Sequence, residues 1–172
     1  FGRVAYAHKA HEKCADMLTE TLARVKLVQI ALSAITTGGI VTVLLGSKEI
    51  SHAAAVTSAA VSTVLFALNM YMKESDAGQR VERHKEVAGK LWNVRESYLS
   101  VLTDLRDGHP HDAVRARRDT LQSELAAIYQ TAPRTDKKAY SQAQIGLQRN
   151  EELTFSDDEI DGLLPPALRL PK

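Results

Sequence analysis

Residues 27–47, "LVQIALSAITTGGIVTVLLGS", carry no formal charge, and neither do residues 50–72, "ISHAAAVTSAAVSTVLFALNMYM". Only Lys48 and Glu49 separate the two stretches. A hydrocarbon layer of roughly 30 Å requires about 20 helical residues at about 1.5 Å each. An amphipathic helix of a soluble protein would show charges on one face every third or fourth residue. The stretches therefore predict a transmembrane hairpin whose outer tip carries Lys48 and Glu49.

The overall composition, with 25 % charged and 44 % hydrophobic residues, hides this segregation. A formal net charge of +1 gives no basic field, and Phe and Trp are scarce, so nucleic acid is not expected as a partner. Cys14 is the only cysteine, which excludes an intrachain disulfide and fits a reducing, intracellular setting. Because the chain begins at Phe1 rather than Met, we expect further residues before it.

The two predicted spans are rich in Ala and in hydroxyl residues. Small side chains allow close helix approach in lipid, and hydroxyls bond across helices, so this composition predicts oligomers. The hydroxyl residues are Ser33, Thr36, Thr37, Thr42, Thr57, Ser58, Ser62 and Thr63. A wholly soluble bundle of four or five helices, with residues 27–72 at its centre, is the alternative.

The basic residues that flank the hairpin predict its orientation. Cytoplasmic loops are enriched in Lys and Arg. Lys48 is the only basic residue at the tip, whereas both flanks are basic, so both termini are expected in the cytoplasm. The flanking residues are Lys13, Arg24 and Lys26 before the hairpin, and Lys73, Arg80, Arg83, Lys85 and Lys90 after it.

Apolar residues at helical spacing predict an all-α cytoplasmic region. A helix over residues 4–26 leads into the first span, and a helix on the order of 50 Å long runs as a stalk from about Glu74 to Gly108. Pro110 and Pro133 bracket another helix, and a weaker one covers residues 136–150. The predicted division is an N-terminal amphipathic helix (1–26), the transmembrane hairpin (27–72, with spans 27–47 and 50–72), a cytoplasmic helical region (73–150) and a C-terminal tail (151–172).

The tail, "FSDDEIDGLLPPALRLPK", combines a helix start with apolar residues. Ser156 and Glu159 form a capping box, with Phe155 and Ile160 placed for a hydrophobic staple, and the short helix should end before Gly162. Disordered tails are rarely so apolar. We expect this tail to dock on the helices of its own subunit or of a neighbour, through Phe155, Ile160, Leu163, Leu164 and Leu168.

Polar residues inside the spans are the candidate functional set. Gln29 and Asn69 lie near the cytoplasmic ends of the two spans, so an antiparallel hairpin places them at one depth. Buried amides in lipid need partners or water. They form either an interhelical hydrogen bond within one subunit or part of a water-filled path between subunits. On helices, Gln29, Ser33 and Thr36 share one face, and Ser58, Ser62 and Asn69 share another.

Other chemical groups support no catalytic or metal site. His8, His11 and Cys14 are spaced by three residues, but a partly exposed basic helix explains them better than metal ligation. His109 and His111 fit a polar turn, and Arg115, Arg117 and Arg118 alternate with acids as a solvated face. Gly38 and Gly39 are expected to bend or closely pack the first span. Because no nucleophile elbow, phosphate loop or zinc motif occurs, we expect neither an enzyme nor a cofactor.

Taken together, two short spans with a minimal tip, the exit helix "RVERHKEVAGKLWNVRESYLSVL" and the terminal "SDDEIDGLLPPALR" resemble the SLATT family. These two-span proteins are associated with nucleotide-second-messenger synthases and sensors in bacterial conflict systems. The resemblance implies an antiphage effector that oligomerises and breaches the inner membrane, with such a synthase or sensor encoded nearby. It carries over no residue roles.

If the hairpin spans a membrane, two functions fit the sequence. In the first, a homo-oligomer in the lipid bilayer forms or gates a pore for ions or small solutes and depolarises the cell. In the second, the spans only anchor a helical interaction module. In a pore, Lys48 and Glu49 would form a ring of alternating charge at the outer mouth, and neutralising both would alter selectivity.

Overall fold

The structure, a computed structural model, describes residues 1–165 and 169, and for Glu49 the backbone alone. Within this part the chain forms helices joined by turns and contains no strand, which confirms the predicted all-α class. The helices are α1 (Gly2–Leu45), α2 (Lys48–Glu74), α3 (Ala77–Arg106), α4 (His111–Thr131), α5 (Lys137–Gln148) and α6 (Asp157–Leu163).

These helices group into two compact units. Unit 1 comprises Phe1–Cys14 together with the chain from His84 onward, and unit 2 comprises Ala15–Arg83. Both α1 and α3 therefore contribute to each unit. The membrane borders predicted at residues 27, 47, 50 and 72 lie inside unit 2 and stay predictions.

Unit 2 contains the hairpin of α1 and α2. The connection lies earlier in the chain than predicted, because α2 begins at Lys48 and only Gly46 and Ser47 lie outside the helices. Lys48 and Glu49 therefore form the first turn of α2 rather than the turn between the spans. The Ser51 hydroxyl lies 3.2 Å from the carbonyl oxygen of Val43 and 3.3 Å from that of Gly46. It thus donates to carbonyls that the end of α1 leaves without intrahelical partners.

A turn that the sequence did not predict separates α2 from α3. The predicted stalk began near Glu74, but the helix is interrupted at Ser75 and Asp76 and resumes at Ala77. Asp76 has a φ of 44°, in the left-handed region that Asp tolerates better than most residues do. From Ala77 to Arg106, α3 is about 45 Å long.

The core of unit 1 joins the start of α1 to α3 and α4. Its buried residues are Val4, Val87, Leu91, Val94 and Ile128. Ala7, Tyr98, Leu125 and Ala132 pack around them. The apolar side of α3 is partly uncovered toward its C-terminal end, since Leu102 and Leu105 remain 47 % and 45 % exposed. Unit 1 thus keeps an uncovered apolar strip at the C-terminal end of α3.

Replacing Leu91 by alanine is expected to destabilise unit 1 by about 3 kcal/mol, because Leu91 is fully buried and the truncation leaves a cavity. Trp92, the only tryptophan, contacts His8 within this unit, so its fluorescence during urea unfolding in detergent reports the loss. Leu99→Ala on the same helix, where the side chain is 46 % exposed, is the control and should change stability far less. Equal losses for the two variants would contradict the assigned core.

Most helix ends and caps in the second half of the chain lie where the sequence predicts them. Gly108 has a φ of 82° and ends α3, while Pro110 precedes α4 and Asp136 caps α5. The predicted capping box of Ser156 and Glu159 is present. The backbone N–H and the hydroxyl of Ser156 both hydrogen bond to the Glu159 carboxylate and lower its pKa. The backbone N–H has the larger effect.

One prediction about the tail is corrected, and another is tested only within a single subunit. The short helix does not stop before Gly162 but runs to Leu163, because Gly162 keeps a helical conformation. Phe155, Ile160 and Leu163 are 61 %, 43 % and 79 % exposed. They do not dock on their own subunit, and Leu164 is half-buried. Docking on a neighbouring subunit stays a prediction, and Leu168 lies outside the described residues.

Candidate functional site

Large apolar side chains cover the outside of the hairpin. In the most apolar windows of its two helices, 0 % and 6 % of the residues are buried. The core of a soluble bundle would bury these windows, so their exposure contradicts the soluble alternative and supports two membrane spans. The side chains that are at least half exposed are Leu27, Ile30, Ile35, Ile40, Leu44, Leu45, Ile50, Val56, Val64, Phe66, Met70 and Tyr71.

Small and polar residues line the contact between α1 and α2. The Gln29 amide Nε2 donates to Asn69 Oδ1 at 2.7 Å, so the two amides meet at one depth. Thr36 and Ser62 are half-buried, whereas Ser33 is exposed beside the contact. The predicted faces are therefore joined at Gln29 and Asn69. The structure contains one subunit and does not test whether these residues line a path between subunits.

Five hydroxyl groups in the spans satisfy their donors within their own helices. Each of these five donates to the carbonyl four residues earlier, which removes the cost of an unpaired donor in lipid. These bonds are 2.8 Å for Ser33 to Gln29, 3.0 Å for Thr36 to Leu32, 2.9 Å for Thr37 to Ser33, 2.9 Å for Thr42 to Gly38 and 2.9 Å for Thr63 to Ala59. Such hydroxyls can face either lipid or another helix.

The helices α1 and α2 approach each other closely at Gly39. A Cβ atom there would overlap the hydroxyl oxygen of Ser58 and would lie 3.2 Å from Ser58 Cβ and 3.5 Å from the Ala54 carbonyl oxygen. Ser58 is buried, with 8 % exposure. A Cβ at Gly38 would meet nothing within 4 Å. Of the two glycines, Gly39 therefore allows the close packing of the spans.

A buried histidine cluster in unit 1 was not predicted. His8, His11 and His84 are 3 %, 4 % and 2 % exposed, and Cys14 is also buried. The prediction of a partly exposed basic helix was wrong, because α3 covers this face of α1. The signal was present in the spacing: Val4, His8 and His11 fall on one helix stripe, as do His84, Val87 and Leu91.

Hydrogen bonds hold all three histidines in place. His8 Nδ1 donates to the carbonyl oxygen of Ala88 at 3.0 Å, and His8 Nε2 lies 3.5 Å from Glu12 Oε2. His11 Nδ1 and His84 Nδ1 are 3.0 Å apart, so one ring must donate and the other accept. No cluster of three or more metal-ligating side chains occurs among the described residues.

Acid should weaken unit 1 through His11. Burial, followed by the neighbouring His84 and His8, lowers the pKa of His11 to about 4. In the unfolded chain its pKa is about 6.5, so only the unfolded state gains this proton between pH 6.5 and 4. The stabilisation is complete above pH 6.5, and about 3 kcal/mol should be lost as the pH falls to 4.

The pH dependence is measured by urea unfolding, followed by Trp92 fluorescence, at pH 7.0, 5.5 and 4.5. The variant His11→Phe should show a smaller fall in stability across this range than the wild type. His111→Phe is the control, because His111 is exposed and its replacement should leave the pH dependence unchanged. A wild-type profile that is retained in His11→Phe would exclude His11 as its source.

An ion cluster fastens the segment after α5 to α1. Glu152 lies 2.6 Å from Lys9 Nζ and 3.1 Å from Lys13 Nζ. The hydrogen bond from Lys9 is the largest cause that lowers the pKa of Glu152. Burial is the largest single influence on Lys9 and lowers its pKa, but the hydrogen bonds to Glu152 and Glu12 and the charges of these carboxylates together raise the pKa above its ordinary value. Glu152 therefore anchors the start of the tail to α1.

The arginines of α4 form a solvated face, as predicted. Arg118 contacts Asp119 at 2.6 Å, and Arg115 is 3.9 Å from Asp112. These residues and Arg117 are exposed, as are His109 and His111. Exposed pairs of this kind contribute little to stability, so the arginines remain available to other anions.

Comparison with known protein families identifies a matching family. The model of "SMODS and SLOG-associating 2TM effector domain family 4" matches residues 1–159. This range contains the hairpin and all of α3, α4 and α5, and it ends before the "LLPPALR" segment. No curated protein and no solved structure shows a significant match.

Proposed function

Because the chain belongs to the SMODS and SLOG-associating 2TM effector domain family, in its family 4, we propose that it is a pore-forming effector of the bacterial inner membrane. The family assignment makes it a membrane effector of a conflict system. The proposal adds that copies of the chain assemble into a homo-oligomer whose spans form or gate a path for ions or small solutes. Opening of this path during phage infection would depolarise the cell.

The pairing of Gln29 with Asn69 carries this proposal. The pair uses one of the two amide hydrogens of Gln29, and Asn69 remains exposed at the hairpin surface. Among the described residues, no other side-chain hydrogen bond involves either amide. Amide groups at membrane depth need further partners, which a neighbouring subunit or a column of water would supply. A pore between subunits would offer the amides both a neighbouring subunit and water as hydrogen-bond partners.

The proposed orientation places both termini, and with them unit 1, in the cytoplasm. The support is the excess of Lys and Arg on both flanks of the hairpin over the single Lys48 at its tip. Unit 1 would then be accessible to a nucleotide-signalling synthase or sensor encoded nearby. The effector itself is proposed to act without catalysis and without a cofactor.

A liposome experiment tests the proposal. Purified protein is reconstituted, and ion flux and the release of a small entrapped dye are measured at equal protein incorporation. The wild type should conduct, and a variant whose residues 27–72 are replaced by an unrelated Leu-rich hairpin should not. In cells, expression of the wild type should collapse the membrane potential during infection.

Two outcomes would reject the pore. The first is an absence of flux from liposomes together with an unchanged membrane potential in infected and uninfected cells. The second is full biological activity of the Leu-rich variant, since an anchor tolerates foreign spans and a pore does not. The second outcome would establish the anchored interaction module instead.

A further inference from the structure

An apolar groove lies between α3 and α4 in unit 1, at the end of α3 that the core leaves uncovered. It encloses about 350 Å³. Leu102 and Leu105 contribute apolar surface, and His111, Arg115 and Arg118 make its rim basic. The lining residues, which define the α3–α4 groove, are Phe1, Tyr98, Val101, Leu102, Leu105, His111, Val114, Arg115 and Arg118.

The tail helix, defined as Phe155 with α6, has the complementary character. Its acidic residues are Asp157, Asp158, Glu159 and Asp161, and no basic residue occurs between Phe155 and Leu163. Its apolar side chains are exposed, with Phe155 at 61 % and Leu163 at 79 %. The capping box holds it as a short helix before it meets any partner.

We propose that the tail helix of one subunit docks in the α3–α4 groove of a neighbouring copy. This inference rests on the homo-oligomer of the proposed function and identifies the contact that joins its cytoplasmic units. Phe155, Ile160 and Leu163 would cover the exposed Leu102 and Leu105, and the acidic residues would face the basic rim. A short amphipathic helix in an apolar groove is a common mode of recognition.

The exposure of the tail helix favours a neighbour over the same subunit. Glu152 is held at Lys9 and Lys13 of its own chain. With Glu152 held there, Phe155, Ile160 and Leu163 remain 61 %, 43 % and 79 % exposed, and Leu102 and Leu105 in the groove remain 47 % and 45 % exposed. The tail helix therefore leaves the groove of its own subunit uncovered and free to accept the tail helix of another copy.

The charges on the rim can exchange partners at little cost. Arg115 and Arg118 contact Asp112 and Asp119 as exposed local pairs, each contributing at most about 1 kcal/mol. Docking would replace these contacts by ion pairs next to buried apolar surface, where screening by water is weaker. The acidic tail therefore gains contacts, and α4 loses little.

Crosslinking between two differently tagged copies tests the contact in membranes. In a Cys14→Ala background, one copy carries Leu163→Cys and the other carries Leu102→Cys, and a bismaleimide reagent is added. Docking between subunits predicts a product that contains both tags. A single chain with both substitutions that crosslinks internally, with no mixed product, would overturn the proposal in favour of docking on the same subunit.

Charge reversal tests the rim. Either Arg115→Asp with Arg118→Asp, or Asp157→Arg with Asp158→Arg, should lower the mixed product at least fivefold. The combination of the two pairs, with one pair in each copy, should restore it. Arg117→Asp, on the same helix but outside the groove lining, is the control and should leave the yield unchanged. Equal yields for all of these variants would overturn the proposed contact.

Mass measurement of the detergent-solubilised protein, together with liposome flux, separates this inference from the proposed function. An oligomer that conducts but gives no mixed crosslink would overturn the docking and leave the pore intact. A protein that stays monomeric and does not conduct would overturn both. All the charge-reversal positions are exposed, so unit 1 should remain folded in each variant, as checked by Trp92 fluorescence.

Discussion

Replacing Gly39 by leucine is expected to abolish conduction, with at least a tenfold loss of flux at equal protein incorporation. A Cβ at this position overlaps the Ser58 hydroxyl and lies 3.2 Å from Ser58 Cβ, so the two spans must separate. Overpacking of a close contact costs about 1 to 3 kcal/mol, and hydrophobic burial cannot restore helix packing in lipid. The separation would also part Gln29 from Asn69.

The adjacent glycine is a matched control. Gly38→Leu adds the same side chain one residue earlier, where a Cβ meets nothing within 4 Å, and flux should stay within about twofold of the wild type. A second variant exchanges the pair, with Gly39→Ser and Ser58→Gly, and should recover most of the flux because one side of the contact again lacks a side chain. If Gly39→Leu conducts as well as Gly38→Leu, the close approach is irrelevant to function.

Features that depend on neighbouring residues could be predicted from the sequence. The capping box at Ser156, the left-handed Gly108 and the helix start after Pro110 are set by local backbone chemistry. The depth shared by Gln29 and Asn69 followed from their positions in two spans of known length with a short connection. The contact between Gln29 and Asn69 required only that the two spans form a hairpin, and the other features required no knowledge of the tertiary fold.

The buried histidines depended on tertiary contacts and were missed. His11 is covered by α3 through His84, which lies 73 residues away in the sequence. A histidine on a charged helix is predicted to be exposed to solvent as long as the helix that packs over it is unknown. The turn at Asp76 was missed because neither Gly nor Pro marks it. The exposure of Phe155 and Leu163 was missed because an apolar segment predicts burial. The sequence does not show whether the residues that bury it belong to the same subunit or to another.

Replacing Asn69 by leucine is expected to lower the flux at least tenfold while the oligomer keeps its mass. The substitution removes the acceptor of the Gln29 amide and adds an apolar side chain at a polar position. Hydrogen bonds between membrane helices average about 0.6 kcal/mol and reach about 1.7 kcal/mol, so the loss of one bond should leave assembly largely intact. Water in a narrow path, by contrast, is displaced by apolar side chains.

The double variant Gln29→Leu with Asn69→Leu separates a structural role of the amides from a role in conduction. If the pair only holds the spans together, two leucines pack well in lipid, no amide is left unsatisfied, and the flux should return toward that of the wild type. If the amides contact permeating water, the double variant should conduct as poorly as Asn69→Leu. Asn69→Gln keeps an amide and should retain most of the flux. We expect the second pattern, because Asn69 is exposed at the hairpin surface while it accepts from Gln29.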